Sequence, residues 1–271
     1  MKQTAARQIP FSQTWLSKAK AYQKSDSWVA DLVQNIPGTG KLYLDTLKNW
    51  YRKFPVTSLH LRNRLDSFNT ADHLGGVNEL YWWQVMQKFG WNANPIPVGK
   101  TKRPDFQISA PAKFFCEVTT LNISTRDIKA MRGGKGVPLD HLQTIGRLLR
   151  KAGREKKDQL AYAENRGFPA VLVVFDYTVW SGFATQFYKE LKTYLLGSTN
   201  GFASLPDSLS AIVYMEKKFL NGRFAMSLVR SAAYHNPYAA YPLSCGVFAV
   251  IRQFHKGLER KPVRKDSWLY I

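Results

Sequence analysis

Residues 168–177, Phe-Pro-Ala-Val-Leu-Val-Val-Phe-Asp-Tyr, are a continuous apolar run. Such a run suits a central β-strand covered on both faces, where neither side has to meet water. Upstream of it, Asp140 to Asn165 carries a long helical period, and downstream Gln186 to Leu196 carries a shorter one. Helix, strand and helix in succession argue for an α/β architecture.

Further upstream lie three short extended runs, Asn94 to Val98, Asp105 to Ser109 and Lys113 to Leu121, separated by Gly99 and by Ala110-Pro111. Before them, Val77 to Phe89 reads as a helix with Leu80, Trp83, Val85 or Met86 and Phe89 turned inward, ended by Gly90 at a C-cap position. Gly75-Gly76 marks a change of pattern. Residues 1 to about 70 read as helical, with Trp15, Leu16, Ala19 and Tyr22, then Trp28, Leu32 and Ile36 at helix-like steps. Leu42, Leu44, Leu47 and Tyr51 continue after the Gly38-Thr39-Gly40 break. The expected division is a helical N-terminal region, 1–72, and a main domain, 73–271. The segment from Trp50 to Pro55, with His60, Arg62 and Arg64, mixes aromatic and basic residues. It suits a DNA-facing arm or a basic, partly buried helix pair.

Downstream of the apolar run, Leu209 to Phe219 and Arg223 to Ser231 are expected to form a hairpin through a type I′ turn at Asn221-Gly222. Tyr234 to Tyr238 reads as a packed loop, with base stacking as its functional alternative. Lys256 to Lys265 reads as an exposed basic tail. Asn122 to Pro138 is polar and of a length typical of functional loops. Its Gly133-Gly134-Lys135-Gly136 does not make a phosphate-binding loop, because Val137 follows where that motif needs lysine.

The 271 residues are 45% apolar and 14% aromatic, which excludes disorder and bounds the chain to one large domain, with or without an appendage. With 39 Lys+Arg against 19 Asp+Glu, the net charge of +20 favours an anionic partner, nucleic acid above a membrane surface. No stretch approaches the roughly 20 apolar residues of a membrane span, and Met1 to Trp15 lacks the apolar core of a secretory signal. A cytoplasmic location without membrane contact is therefore expected. Cys116 and Cys245 have no metal-ligand spacing and read as reduced, buried thiols; Asn122-Ile123-Ser124 matches a glycosylation site only on a secretory route. His60, His73, His141, His235 and His255 form no ligand pair.

In a chain so short of acids, those set in apolar runs stand out. Glu79 lies on a helical stretch, Asp105 follows Pro104 at the head of a strand, and Glu117 lies within Phe115-Cys116-Glu117-Val118-Thr119. Strand alternation puts Phe115, Glu117 and Thr119 on one face, with Cys116 and Val118 on the other. If the two strands pair, Asp105 and Glu117 project to one corner, and the Glu79 helix can close it. Clustered carboxylates need a counter-charge. A divalent cation with oxygen ligands supplies one; an ion pair with a nearby Arg or Lys is the alternative. On a helical wheel begun at Ile145, Leu149, Ala152, Lys156, Gln159 and Ala163 share one direction, while Lys157 points away. Lys156 and Gln159 thus fall on the face that packs on the sheet.

Glu79, Pro104-Asp105 and Glu117-Val118-Thr119, in the order helix, three strands, long helix and buried strand, resemble the PD-(D/E)XK nuclease superfamily over roughly residues 75–180. The resemblance implies a restriction-endonuclease-like core, a mixed central sheet flanked by helices, behind the helical N-terminal region. It implies a metal-dependent DNA endonuclease of a defence, restriction or recombination system. Asp105, Glu117 and the Val118 carbonyl would hold Mg²⁺, with Mn²⁺ able to substitute, and Glu79 would complete a second site or orient a water. Thr119 stands where the family usually has lysine. Some divergent members take that lysine from the following helix, as Lys-x-x-Gln, which here is Lys156 and Gln159. Lys100, Lys102, Arg103, Arg126, Lys129, Arg132 and Lys135 are candidate phosphate contacts. The partners implied are DNA and, for cutting both strands, a second copy or other proteins of the same system. Two alternatives carry the same charge: a nuclease fold that docks DNA without cutting it, and an RNA-binding protein indifferent to Glu117.

Overall fold

The computed structural model describes residues 9–23, 27–55, 58–99, 101–121, 141–176, 187–197, 199–262 and 268–271. Ala170–Asp176 forms strand β4, buried over residues 170–175 as the apolar run requires, and it pairs in parallel with β3 (Phe114–Leu121) and β5 (Leu209–Met215). Around these three, among the described residues, stands an eight-stranded mixed sheet in the order β1-β2-β3-β4-β5-β8-β9-β10. Its outer members are β1 (Asn92–Pro95), β2 (Phe106–Ala110), β8 (Ala232–His235), β9 (Arg252–His255) and β10 (Leu258–Arg260).

Helices cover both faces. On one side, α1 (Gln13–Lys20), α2 (Trp28–Asn35), α3 (Pro37–Lys53), α4 (Leu59–Leu65) and α5 (Thr70–Lys88) share a core with Cys116, Val118, Val171, Val173 and Val213. On the other, α6 (His141–Arg150), α7 (Lys157–Glu164) and α8 (Phe187–Gly197) pack on Phe115, Leu121, Leu172, Val174 and Ile212. The alternation expected along β3 is thus present, Phe115 facing one layer and Cys116 the other. The N-terminal helices and the sheet share a single core, with Trp50, Tyr51 and Phe54 buried in it and Arg52 and Lys53 outside. The segment thus has a buried aromatic side and basic residues at its surface.

Several expectations are corrected. The break at Gly75-Gly76 is absent, because α5 runs through both glycines from an N-cap at Asn69, whose side chain accepts from the Ala71 and Asp72 N–H groups. The continuous helix from 140 to 165 is instead α6 and α7 joined by a π-helical turn, Lys151–Glu155. The first extended run begins two residues early and stops at Pro95, since Pro95 and Pro97 withhold ladder donors. The 209–231 hairpin divides at Glu216. Leu209–Met215 stays in the large sheet, while β6 (Lys217–Leu220) and β7 (Arg223–Ser227) join β11 (Trp268–Tyr270) in a second, three-stranded sheet. The turn itself is as read, with Asn221 at φ 51° and Gly222 at φ 76°. Of the expected loop Tyr234 to Tyr238, Tyr234 and His235 instead end a buried strand, Ala232–His235, and Asn236 to Tyr238 form the turn that follows. The tail contributes edge strand β10, exposed as expected. Cys116 is buried and Cys245 only partly so, both as free thiols. Among the described residues no helix is long and apolar enough to cross a membrane.

Candidate active site

The sheet opens where β2 leaves β3. The antiparallel register runs Ile108↔Phe114 and Phe106↔Cys116, and one further step sets Pro104 opposite Val118. Proline has no N–H to offer the Val118 carbonyl. The Val118 N–H, lacking a strand partner there, donates to Asp105 Oδ2 at 2.8 Å. Pro104-Asp105 therefore ends the ladder on one edge of β3 and puts a carboxylate in place of a strand. In a β-strand the N–H and C=O of one residue point the same way. The Val118 carbonyl accordingly faces the Asp105 side.

Glu117 projects from β3 towards α6 and α7, and its Oε1 accepts from Lys156 Nζ at 2.6 Å. Lys156 ends the π-helical turn with φ −107° and ψ 6°, and its N–H donates to the Lys151 carbonyl five residues back. The extra residue in that turn resets the helix face. Ile145 and Leu148 are buried before it, Ala152 within it and Leu160 and Ala163 after it, while Lys156 and Gln159 are half-buried at the stripe's edge. Lys157 is exposed, as read. Gln159 Oε1 is buried without a hydrogen-bond partner.

Glu79 comes from the opposite layer, on α5, and its Oε2 accepts from Arg64 Nη1 at 2.7 Å. Arg64 is absent from the sequence-based site. The Gly75-Gly76 pair explains how it arrives: a Cβ at Gly75 would lie 2.2 Å from Arg64 Nη2, and one at Gly76 would lie 3.0 Å from Arg64 Cβ and 3.2 Å from the Leu65 nitrogen. The glycines cut a notch in α5 that admits α4 and its arginine. That signal was legible as two glycines inside a helical period, but a notch and a helix break look alike in a sequence.

Glu79, Asp105, Glu117, Val118, Lys156 and Gln159 line one cavity of about 760 Å³, together with Arg64 and His60. Burial is the largest effect on all three acids. It pushes the Glu79 and Glu117 carboxyls up to about 8, with Asp105 repelling both, while Arg64 and Lys156 pull Glu79 back and Lys156 pulls Glu117 back. Asp105 is raised by burial against the Val118 N–H, Arg64, Lys156 and His60. Burial works against the Lys156 ammonium, but Glu117 and Asp105 outweigh it and hold the lysine above its ordinary value. The acids thus titrate as a group short of positive charge.

A hard divalent cation would supply that charge. Among the described residues no three His, Cys, Asp or Glu side chains gather closely enough to hold a metal alone. The donor set that fits is two carboxylates, Asp105 and Glu117, with the Val118 carbonyl and water. A pH dependence follows. A Glu117 carboxyl at about 8 when folded, against an ordinary 4.5, makes the folded chain bind protons more tightly. The stability this confers is full below pH 4.5 and lost as pH rises through about 8. The metal-free protein should melt lower at pH 9 than at pH 6, by roughly 2–4 °C per kcal/mol of repulsion exposed, with a shallower fall in Glu117→Gln or in excess Mg²⁺. Parallel melting curves for all three would count against the acidic cluster.

Of the expected phosphate contacts, Lys102 and Arg103 are exposed and line the cavity. Lys102 pairs with Asp158 at 3.1 Å and Arg103 Nε donates to Thr101 Oγ1 at 3.3 Å. Lys100, Arg126, Lys129, Arg132 and Lys135 lie outside the described residues. No protein-family model, no curated protein and no solved structure matches the chain.

Proposed function

We propose that the protein is a Mg²⁺-dependent deoxyribonuclease with a restriction-endonuclease-like core. The observation that carries this reading is the convergence of Asp105, Glu117, Lys156 and Gln159, from three separate elements, on one cavity. Asp105, Glu117 and the Val118 carbonyl would hold the cation. When bound, it would lower the pKa of a coordinated water and polarise a phosphoryl oxygen. Lys156 keeps its proton beside Glu117 and donates to the phosphate oxygens as charge builds on them. Gln159, whose Oε1 lacks a partner, orients the attacking water. Glu79, fixed by Arg64, borders the same space and directs water towards it. The net charge of +20 supplies salt-sensitive affinity for DNA without sequence preference.

The purified protein is expected to nick or linearise supercoiled plasmid, and to cut a single-stranded circle, with Mg²⁺ or Mn²⁺ and not with EDTA. Glu117→Gln at matched DNA binding should lose the activity. Salt-sensitive binding with no cleavage in any metal would replace this reading with that of a docking subunit of nuclease fold.

A further inference from the structure

The cavity has a second cationic side that the sequence-based site does not include. Arg64 gives one Nη1 N–H to Glu79, and a guanidinium carries five N–H donors in a planar fork. His60, one turn earlier on α4, is exposed and lines the same cavity. Leu61 and Leu65 root α4 in the core layer opposite to that of Leu160 and Ala163 beside Lys156. The cations of α4 and of the π-helical turn therefore approach from opposite layers. Two aliphatic side chains on the walls stay in water, Leu59 64% and Val98 74% exposed. At about 760 Å³ the space is of the size that encloses a small molecule. That is the size of a nucleotide or two, and exposed aliphatic walls suit bases that are not already paired and stacked.

We propose that α4 is one jaw of a cleft that takes a single nucleic-acid strand. Arg64 and His60 hold a backbone phosphate from the N-terminal side, and Leu59 and Val98 pack against sugar and base. The inference rests on the nuclease reading above and adds the strand class and the part played by the N-terminal helices. A planar guanidinium suits a phosphate because two N–H groups match two oxygens. The notch at Gly75-Gly76 and the carboxylate of Glu79 fix that fork, so little freedom is lost when a phosphate arrives.

Fluorescence anisotropy in EDTA tests the jaw without cleavage, using a labelled oligonucleotide, the blunt duplex of the same sequence, and a salt series. The wild type should bind the single strand about tenfold more tightly than the duplex, and Arg64→Gln should lose about that factor and lower the salt slope by about one. His60→Ala and Leu59→Glu, both at exposed positions, should weaken single-strand binding with unchanged melting, and they decide the matter if Arg64→Gln does not fold. Wild-type affinity and slope in these variants, or a duplex bound as tightly as the strand, would overturn the jaw alone. Failure of the wild type to bind any polynucleotide would overturn the nuclease reading with it.

Discussion

Lys156→Ala is expected to cut DNA roughly 100- to 1000-fold more slowly than the wild type, the loss typical of a preorganised donor, while binding DNA nearly as well. The expectation depends on how the site responds to the missing ammonium. Glu117 is 4% exposed and would be left without its 2.6 Å partner, and an unpaired buried charge is costly. Here the cost has an outlet. The Glu117 carboxyl lies at about 8 with Lys156 in place, so at neutral pH it already holds a proton most of the time and keeps it when the ammonium goes. The variant should therefore fold and melt close to the wild type at pH 7. Its defect would appear in single-turnover cleavage at saturating enzyme and not in DNA affinity, because Lys156 is one of 39 basic residues. Wild-type cleavage by Lys156→Ala would remove the lysine from the mechanism.

The parts of this site that a sequence reveals are those governed by local rules. Strand alternation placed Phe115 and Glu117 on one face of β3 and Cys116 and Val118 on the other, and both core layers agree. The buried strand at 170–176 announced itself because a parallel strand covered twice has no polar face. Lys156 and Gln159 were assigned inward from an ideal helical wheel, yet the helix is not ideal. The π-helical turn at Lys151–Glu155 shifts the buried stripe, and Lys156 reaches Glu117 from the end of that turn. A wheel at fixed pitch cannot register such a change, which depends on what the sheet offers the lysine. The pairing of Arg64 with Glu79 was missed for a tertiary reason. The place of Arg64 is decided by α4 lying in the notch of α5 and by a carboxylate fifteen residues on. The division of the 209–231 hairpin at Glu216 is tertiary as well, since the two halves of the run pair into two different sheets.

Asp105→Asn should show opposite effects on stability and on cleavage. Asparagine keeps an oxygen for the Val118 N–H, now held at 2.8 Å by Asp105 Oδ2, so the end of the β2–β3 ladder survives. The substitution removes the charge that raises both Glu79 and Glu117. Without metal at pH 8 the variant should gain about 1 kcal/mol, in the range of other single stabilising changes, and melt roughly 2–4 °C higher than the wild type. Cleavage should fall about 1000-fold, as for other preorganised charges aimed at a transition state, because the cation loses one of its two carboxylates. Added Mg²⁺ should then reverse the order of melting. Binding to the folded state alone stabilises in proportion to ligand over its dissociation constant, and the wild type would gain where the asparagine variant would not. Calorimetry of the two proteins with and without Mg²⁺, beside the plasmid assay, separates the possibilities. A variant that melts lower than the wild type without metal would mean that Asp105 is there for the strand. A variant that melts higher and cuts as fast would mean that the cluster is not the metal's seat. Only higher melting with lost cleavage and lost Mg²⁺ response fits a carboxylate whose repulsive position is kept for the cation.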